Sequence, residues 1–238
     1  MITKFRNRFL NRCCLASILF AACVPTDAAE QEATPVGTVK GTVTYKADAS
    51  RPWQFGRYYI ARRKTGELAE AVVCLSGSSL KKLPAPKEPM TWKIDQKDFR
   101  FIPETVAIRA GDRVKFLNND PQLHNVNSRS DIKPLDISVK PGGEIIETFP
   151  RAGNLRQPIT IGCKLHSVMK SWIFVFDHPF YVVTGAEGQF EFKDVPAGEY
   201  RLECAHPAGG LRWSQKITVK AGETLSSEIV LSPDQLAE

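Results

Sequence analysis

The chain has 238 residues, of which 42% are hydrophobic and 24% charged, and its formal net charge is +6. This is ordinary globular composition, so it disfavours a disordered chain, a collagen-like chain and a multi-span membrane protein. The excess of Lys and Arg raises nucleic-acid binding as a hypothesis, and the six Cys residues raise a disulfide scaffold. Both hypotheses depend on where these residues lie along the chain.

Residues 1–28 have the three-part layout of a secretory signal. Basic residues precede an uncharged run at 13–24, and small residues follow it. The uncharged run is too short to span a bilayer as a helix of the mature protein. We expect cleavage after Ala28 or Ala29, so the sequence predicts a periplasmic or secreted protein. Lipid attachment at Cys23 is the alternative, because this residue closes a poor version of a lipoprotein box.

Removal of residues 1–28 changes both the net charge and the number of cysteines. It takes away four positive charges and one negative charge, which lowers the formal net charge from +6 to +3. Without a basic stripe, we expect no nucleic-acid partner. Cys74, Cys163 and Cys204 remain, in a compartment where disulfides can persist. No later stretch reaches the roughly 18 consecutive apolar residues of a membrane span, so we expect no transmembrane segment.

The sequence after the signal is strand-like almost throughout. Short apolar runs alternate with clusters of Gly, Pro, Asn and Asp, which is typical of an all-β sandwich or barrel and not of βαβ units. The segment 81–89 carries three Pro and three Lys and is the best candidate for a linker. The predicted strands include 37–45, 71–75, 105–108, 114–117, 159–163, 172–176, 190–192, 200–204 and 217–219.

Four potential metal ligands concentrate in two short segments. Cys163, His166 and Met169 follow one another at spacings of three, directly after a predicted strand, and His124 follows a turn upstream. Two imidazoles, one thiolate and a weak axial thioether are the ligand set of blue copper electron-transfer sites. Zinc more often takes four Cys or His ligands, so the methionine favours copper.

Each of these residues also has an ordinary structural interpretation. A cysteine at a strand end is often a core thiol, and a methionine often fills a core. However, the chain has only four His and three Met, and one of each lies within six residues of Cys163. A nucleophilic Cys163–His166 pair is an alternative, but it needs an orienting acid or amide and a substrate cleft, and it gives Met169 no role.

Two other groups of residues need a structural or a functional assignment. His178 and His206 each precede a proline near the end of a predicted strand, and we interpret them as turn residues, with a second metal or partner site as the alternative. Trp172, Phe174 and Phe176 alternate along one strand, so we expect them in the core.

The region 90–177 resembles cupredoxins of the plastocyanin and amicyanin kind. The resemblance rests on 101–106, on 110–120, on 124–126 and on the ligand segment from Cys163 to Met169. It implies a Greek-key β-sandwich holding one type 1 copper ion. The implied copper ligands are His124, Cys163, His166 and Met169; Asn125 is implied to tie the ligand loops together, and Leu165 and Val168 to form an apolar electron-transfer surface. The segment 153–158 departs from the family pattern because it is longer and more polar.

This resemblance implies an electron carrier and not an enzyme. The expected partner is a redox protein such as a c-type cytochrome or an oxidoreductase. Two alternatives use other classes of function. The protein could hold or deliver copper with the same ligands, or it could be a cell-envelope binding or structural module.

The flanking sequence resembles a carboxypeptidase regulatory-like, transthyretin-like β-sandwich. The segment 183–202 matches its second half, and short motifs at 41–43 and 71–73 match its first half. We therefore expect residues 35–83 and 178–233 to form one discontinuous sandwich around a cupredoxin domain at 90–177. Cys74 and Cys204 would then share a domain. Their bridging stays open, because Cys204 alternates with apolar residues and Cys74 with polar ones.

Overall fold

The computed structural model describes residues 35–46, 65–83 and 88–233. The predicted signal at 1–28 and the predicted lipid site at Cys23 lie outside these residues. The predicted linker begins inside a short 3-10 helix, Ser78–Lys82, and its residues 84–87 also lie outside the described part.

The described residues form an all-β structure, as the sequence predicts. Two 3-10 helices, Ser78–Lys82 and Pro207–Gly209, accompany the strands. The strands in chain order are β1 Val36–Tyr45, β2 Val72–Ser76, β3 Thr91–Lys97, β4 Arg100–Ile102, β5 Thr105–Arg109, β6 Arg113–Asn118, β7 His124–Arg129, β8 Pro134–Val139, β9 Glu144–Thr148, β10 Ile159–Gly162, β11 Lys170–Phe176, β12 Tyr181–Val183, β13 Gln189–Pro196, β14 Gly198–His206, β15 Leu211–Val219 and β16 Thr224–Leu231.

Strands β3 to β11 form two sheets, which we call the central sandwich. One sheet has the order β4-β3-β6-β9 and the other the order β5-β11-β10-β7-β8. The pairs β3–β6 and β5–β11 are parallel, and the other pairs are antiparallel. Phe101, Phe116 and Phe149 are fully buried in its core, together with Ile94 and Ile159. Alternating apolar positions on both sheets thus close one hydrophobic layer between them.

The remaining strands form a second pair of sheets, which we call the outer sandwich. Its sheets have the orders β13-β1-β16 and β12-β2-β14-β15. Strand β1 is antiparallel to β13 and parallel to β16, and β2 is antiparallel to both β12 and β14. Strands that precede the central sandwich in the chain therefore pair with strands that follow it. The exact boundaries at 35–83, 90–177 and 178–233 stay predictions.

A separate apolar cluster joins the two sandwiches. Val72 and Ala205 of the outer sandwich share this cluster with Phe174 and Phe176 of β11, and Leu155 from the segment before β10 completes it. Strands β2 and β11 are therefore apolar on both faces, because each faces its own core on one side and the other sandwich on the opposite side. A strand buried on both faces has a nearly continuous apolar sequence.

The aromatic residues of β11 differ from the sequence interpretation in which core they join. Phe174 and Phe176 are buried as expected, but they belong to the cluster between the sandwiches, with Trp172 packed against it. The core of the central sandwich instead takes Ile173 and Val175 from the same strand. Alternation identifies which residues share a face, and it does not say which of two cores that face meets.

The polar segment before β10 also contacts β11. The backbone N–H groups of Gly153 and Asn154 both donate to the carbonyl of Val175, at 3.1 and 2.8 Å. Leu155 follows and enters the cluster between the sandwiches. The segment 153–158 therefore carries an apolar residue into this interface.

Cys74 and Cys204 are free thiols, so the possible bridge between them is absent from the described residues. Glu203 is paired with Cys74 and Val73 is paired with Cys204, which places the two sulfur atoms on opposite faces of the sheet. Cys204 joins the core of the outer sandwich, and Cys74 joins the cluster between the sandwiches. Bridging would need a rotation of one strand about its own axis.

The two histidines outside the predicted copper segment lie at strand ends, as the sequence suggests. His178 lies between β11 and β12, and His206 is the last residue of β14. Both side chains are buried, so they are interior groups and not solvated turn residues. The Nδ1 atom of His178 accepts a hydrogen bond from the N–H of Phe180 at 3.2 Å, which stabilises the turn into β12.

Candidate metal centre

Three of the four predicted ligands converge at one end of the central sandwich. The potential ligand atoms of His124, Cys163 and His166 all lie within 4.8 Å of one another. The two Nδ1 atoms are 3.0 Å apart, and the Sγ atom of Cys163 lies 3.7 Å from Nδ1 of His166. This convergence follows from topology: His124 begins β7, Cys163 directly follows β10, and β7 and β10 are neighbours in one sheet.

The spacing of these atoms suits a single small metal ion. With bonds of about 2.0 Å to nitrogen and about 2.3 Å to sulfur, an ion would subtend about 100° between the two Nδ1 atoms. The same bond lengths give about 120° between Nδ1 of His166 and the sulfur. Both angles are close to those of a tetrahedral or trigonal site, so these two pairs of donors can share one ion, and the donor types suit copper.

His124 is held by a carboxylate that the sequence reasoning missed. Its Nε2 atom lies 2.7 Å from Oδ2 of Asp120, and both side chains are buried. Burial alone would raise the pKa of Asp120, but hydrogen bonds from Phe99, His124 and Asp98 lower the pKa below its usual value. An ionised carboxylate only accepts hydrogen bonds, so Nε2 of His124 carries a proton and the lone pair of Nδ1 faces the site.

The sulfur of Cys163 is buried and receives one backbone hydrogen bond. The N–H of Asn125 donates to Sγ at 3.4 Å. The Asn125 side chain donates to Asp136 at 3.1 Å, and Asp136 forms an ion pair with Lys164, the residue after the cysteine. Hydrogen bonds from Lys164 and Asn125 lower the pKa of Asp136. Asn125 thus contacts both ligand segments, directly at the sulfur and indirectly through Asp136; its role in copper binding stays a prediction.

Met169 is placed at the base of the ligand segment. It is 1% exposed and belongs to the same buried cluster as Cys163. Its N–H donates to the carbonyl of His166 at 3.1 Å, which closes a tight turn between the two residues. The turn returns the chain to β11 and keeps the side chains of Cys163, His166 and Met169 within one short loop. The axial role of the thioether stays a prediction.

The surface beside the site is apolar. Leu165 is 56% exposed and Val168 is 78% exposed, on either side of the half-buried His166. Phe99 adds a third apolar side chain: its ring centroid lies 4.9 Å from that of His166, with the rings nearly perpendicular. Leu165 and Val168 are predicted from the sequence, whereas Phe99 is not. Phe99 reaches the site from the turn between β3 and β4, so its proximity to His166 depends on the fold and not on the local sequence.

No second cluster of three His, Cys, Asp or Glu side chains with metal-ligand spacing is found among residues 35–46, 65–83 and 88–233. His178 and His206 are therefore not part of a further metal group of that kind in this part of the chain. Over the same residues, none of the helices has the length and apolar character needed to cross a membrane.

Comparison with known proteins gives partial similarities. No protein-family model matches the chain. An amicyanin from Paracoccus versutus is 19% identical to the matched part of this chain. The match covers 43% of this chain and 97% of the amicyanin, with a TM-score of 0.33. A purple cupredoxin from Nitrosopumilus maritimus is 17% identical. The match covers 36% of this chain and 99% of that cupredoxin, with a TM-score of 0.31.

A third similar structure is a copper-containing nitrite reductase from Thermus scotoductus SA-01. It is 21% identical, and the match covers 44% of this chain and 27% of the reductase, with a TM-score of 0.34. None of these three similarities shows the carboxypeptidase regulatory-like sandwich that the flanking sequence resembles. Each of these three structures matches less than half of this chain.

Proposed function

We propose that this protein binds one copper ion at His124, Cys163 and His166, with Met169 as a weak axial ligand, and carries electrons between redox partners. The observation that carries the proposal is the convergence of two imidazole nitrogens and one thiolate sulfur within 4.8 Å. Copper bound to this ligand set supplies a one-electron couple between Cu(I) and Cu(II).

The ligand types favour copper over the other common metals. A thiolate and two imidazoles suit copper and zinc alike, but a buried thioether beside them is a soft ligand that favours copper. Structural zinc sites more often use four Cys or His ligands. The packed β scaffold holds His124 and Cys163 on neighbouring strands, so the ligands need little rearrangement when the charge of the site changes.

Part of the site is buried, and part of it lies next to exposed side chains. The buried Cys163 sulfur receives the Asn125 N–H, which stabilises negative charge on sulfur. His166 is the half-buried ligand, and Leu165 and Val168 beside it are exposed. We propose that a partner such as a c-type cytochrome or an oxidoreductase docks on these two residues and exchanges electrons through His166.

We propose further that the protein works after export, as a periplasmic or secreted electron carrier and not as an enzyme. The layout of residues 1–28 supports export. Lipid attachment at Cys23 would place the same domain at a membrane surface.

The test is the spectrum of the mature protein loaded with Cu(II). Electron-carrier and copper-holding functions both predict intense visible absorption from thiolate to copper and a narrow copper splitting in electron spin resonance. Cys163→Ser should abolish both signals, whereas Cys74→Ser is the matched control because Cys74 lies in the cluster between the sandwiches. A wild type without visible absorption would overturn the proposal. An unchanged biological activity in Cys163→Ser would point to the envelope-module alternative.

Copper holding or delivery is the second candidate, and the half exposure of His166 favours it. An acceptor protein can reach that ligand while His124 and Cys163 stay buried. A delivery protein should transfer Cu(I) to an acceptor chelator within minutes and exchange electrons slowly. An electron carrier should retain Cu(I) and exchange electrons quickly with a soluble redox protein, so a transfer assay and stopped-flow kinetics separate the two functions.

A further inference from the structure

The turn between β3 and β4 adopts an unusual backbone conformation. Asp98 and Phe99 have positive φ angles of 53° and 56°. Bulky side chains rarely occupy this left-handed region, because Cβ crowds the backbone. Asp98 and Phe99 form the two-residue loop of a hairpin, which favours positive φ at both positions, but Phe is an uncommon residue there and is a reason to ask what the turn does.

One buried carboxylate holds this turn. The backbone N–H of Asp98 donates to Oδ1 of Asp120 at 2.7 Å, and the N–H of Phe99 donates to Oδ2 at 3.0 Å. The same carboxylate accepts the Nε2–H of His124 at 2.7 Å through Oδ2. Asp120 is 6% exposed, so these are charge-assisted hydrogen bonds in a site with little water.

The strained turn places the Phe99 ring against both imidazoles of the centre. Its ring centroid lies 5.7 Å from that of His124 and 4.9 Å from that of His166, with interplanar angles of 89° and 81°. Edge-to-face packing of this kind is a favourable aromatic arrangement. The contact restricts rotation of His166, which is the ligand with the greatest exposure to solvent.

We infer that Asp120 is a positioning residue for the metal centre, which orients His124 directly and His166 through Phe99. The carboxylate fixes the imidazole of His124 with Nδ1 toward the ion. It also secures the two N–H groups of the turn that presses Phe99 onto His166. This inference rests on the proposed copper function for its consequence, but the orientation of His124 can be tested without any metal.

The atoms of Asp120 make two substitutions informative. Asp120→Ala removes all three hydrogen bonds. Asp120→Asn removes the charge, but an amide oxygen in the position of Oδ2 still accepts from His124 and Phe99 and loses only the bond from Asp98. Asp95→Asn is the matched control, because Asp95 lies on β3 and accepts two hydrogen bonds from Asn119.

The first measurement is nitrogen-15 NMR of the histidine rings in the metal-free mature protein. In the wild type, we expect His124 to carry its proton on Nε2, with slow exchange against solvent. Asp120→Asn and Asp95→Asn should retain this tautomer, and Asp120→Ala should lose it. A wild-type His124 protonated on Nδ1 alone would overturn the inference. This wild-type spectrum decides the question even where Asp120→Ala fails to fold.

The second measurement is copper binding, read from transfer to a chelator and from the copper splitting in electron spin resonance. Loss of a partner behind a metal-bound histidine lowers metal affinity about 10- to 100-fold. We expect that loss for Asp120→Ala, a smaller change for Asp120→Asn and faster copper release for Phe99→Ala. Equal affinities and spectra in the wild type, Asp120→Ala and Phe99→Ala would overturn the inference. A wild type that binds no copper would instead sink the proposed function.

Discussion

The Oε2 atom of Glu70 accepts a hydrogen bond from the backbone N–H of Thr105, at 2.8 Å, and so joins the outer sandwich to the first residue of β5. Thr105 N–H lies at the edge of its sheet, where a strand would otherwise leave a donor unpaired. Burial raises the pKa of Glu70, although the hydrogen bond from Thr105 acts in the opposite direction. The contact therefore has an electrostatic cost at neutral pH.

We predict that Glu70→Gln leaves the free energy of unfolding at pH 7 unchanged or higher. Because the pKa of Glu70 is raised in the folded state, the folded protein binds the proton more tightly than the unfolded chain. The resulting stabilisation is full below pH 4.5, the ordinary pKa of glutamate, and is lost as the pH rises through the raised pKa. Glutamine keeps an acceptor for Thr105 and is neutral at every pH.

Urea unfolding between pH 4 and pH 8 measures this effect. The wild type should lose stability relative to Glu70→Gln as the pH rises. Glu144→Gln, which changes an exposed carboxylate paired with Lys115, should leave the difference unchanged. A large loss of stability in Glu70→Gln at pH 7 would show that the charge itself stabilises the interface.

The proximity of Cys163 and His166 was predictable because its information is local. With Met169 they lie within seven residues, and their donor types are the basis of the copper hypothesis. Asp120 and Phe99 were not predictable in this way, although together they hold the same centre. They lie 21 residues apart, and their contact forms only when the β3–β4 turn reaches the residues before β7. An acidic residue four positions before a candidate ligand is the one local signal of Asp120.

Hydrophobic alternation marked the strongly apolar strands and left others unmarked. Strand β9 is half-buried on one face and exposed on the other, and β7 carries Asn, Ser and Arg beside its buried positions. Their strand conformation comes from pairing with β6, β8 and β10 and not from their own composition. Local pattern is a weak predictor wherever cross-strand partners supply most of the stabilisation.

We predict that Cys74, Cys163 and Cys204 are all free thiols in the purified mature protein. Burial raises the pKa of Cys74, with smaller effects from Glu203 and Cys204, and burial also raises the pKa of Cys204. Because the thiolate is the reactive form, Cys74 and Cys204 should resist alkylation in the folded state and react after unfolding. Thiol titration in denaturant without reductant should count three thiols, and a count of one would reveal a bridge.

We predict that Gly41→Ala strongly destabilises the outer sandwich. A Cβ atom at this position would lie 1.7 Å from the carbonyl oxygen of Ser227, its partner residue on β16. Overpacking against backbone should cost about 3 kcal/mol or more. Gly185→Ala is the control, because its Cβ would meet nothing within 4 Å and the change should cost less than about 1 kcal/mol. Thermal unfolding should show the difference; equal midpoints would contradict the β1–β16 pairing.

We predict that acid destabilises the protein through two of its buried histidines, His178 and His206. Burial lowers the pKa of His178 and of His206 to about 4. The ordinary pKa of histidine is 6.5, so between pH 6.5 and pH 4 the unfolded chain binds more protons than the folded protein. The free energy of unfolding therefore falls as the pH falls through that window. Each histidine should account for up to about 3 kcal/mol.

The measurement is the slope of unfolding free energy against pH in the Glu70→Gln background, which removes the opposing contribution of that carboxylate. His206→Gln and His178→Gln should each flatten the slope between pH 6.5 and pH 4. Glutamine at 178 retains an acceptor for the N–H of Phe180. An unaltered slope in both variants would assign acid sensitivity to other groups.

We predict that Met169 contributes to packing and to the copper site separately. Its side chain is buried in the same cluster as Cys163. Met169→Leu conserves volume and should cost less than about 1.5 kcal/mol in the metal-free protein. Met169→Ala leaves a cavity and should cost about 2–5 kcal/mol. Urea unfolding of the metal-free variants measures this packing contribution.

In the copper-loaded protein, Met169→Leu should keep the visible absorption, because the thiolate and both imidazoles remain. Its reduction potential should rise, because Cu(I) accepts a lower coordination number more readily than Cu(II), and the axial ligand tunes the potential of such sites. Redox titration against the wild type measures the shift, with Cys74→Ser as the control for a buried sulfur elsewhere. An identical potential in Met169→Leu would assign Met169 to the core alone, since a thioether that contacts the ion cannot be removed without changing its electronics.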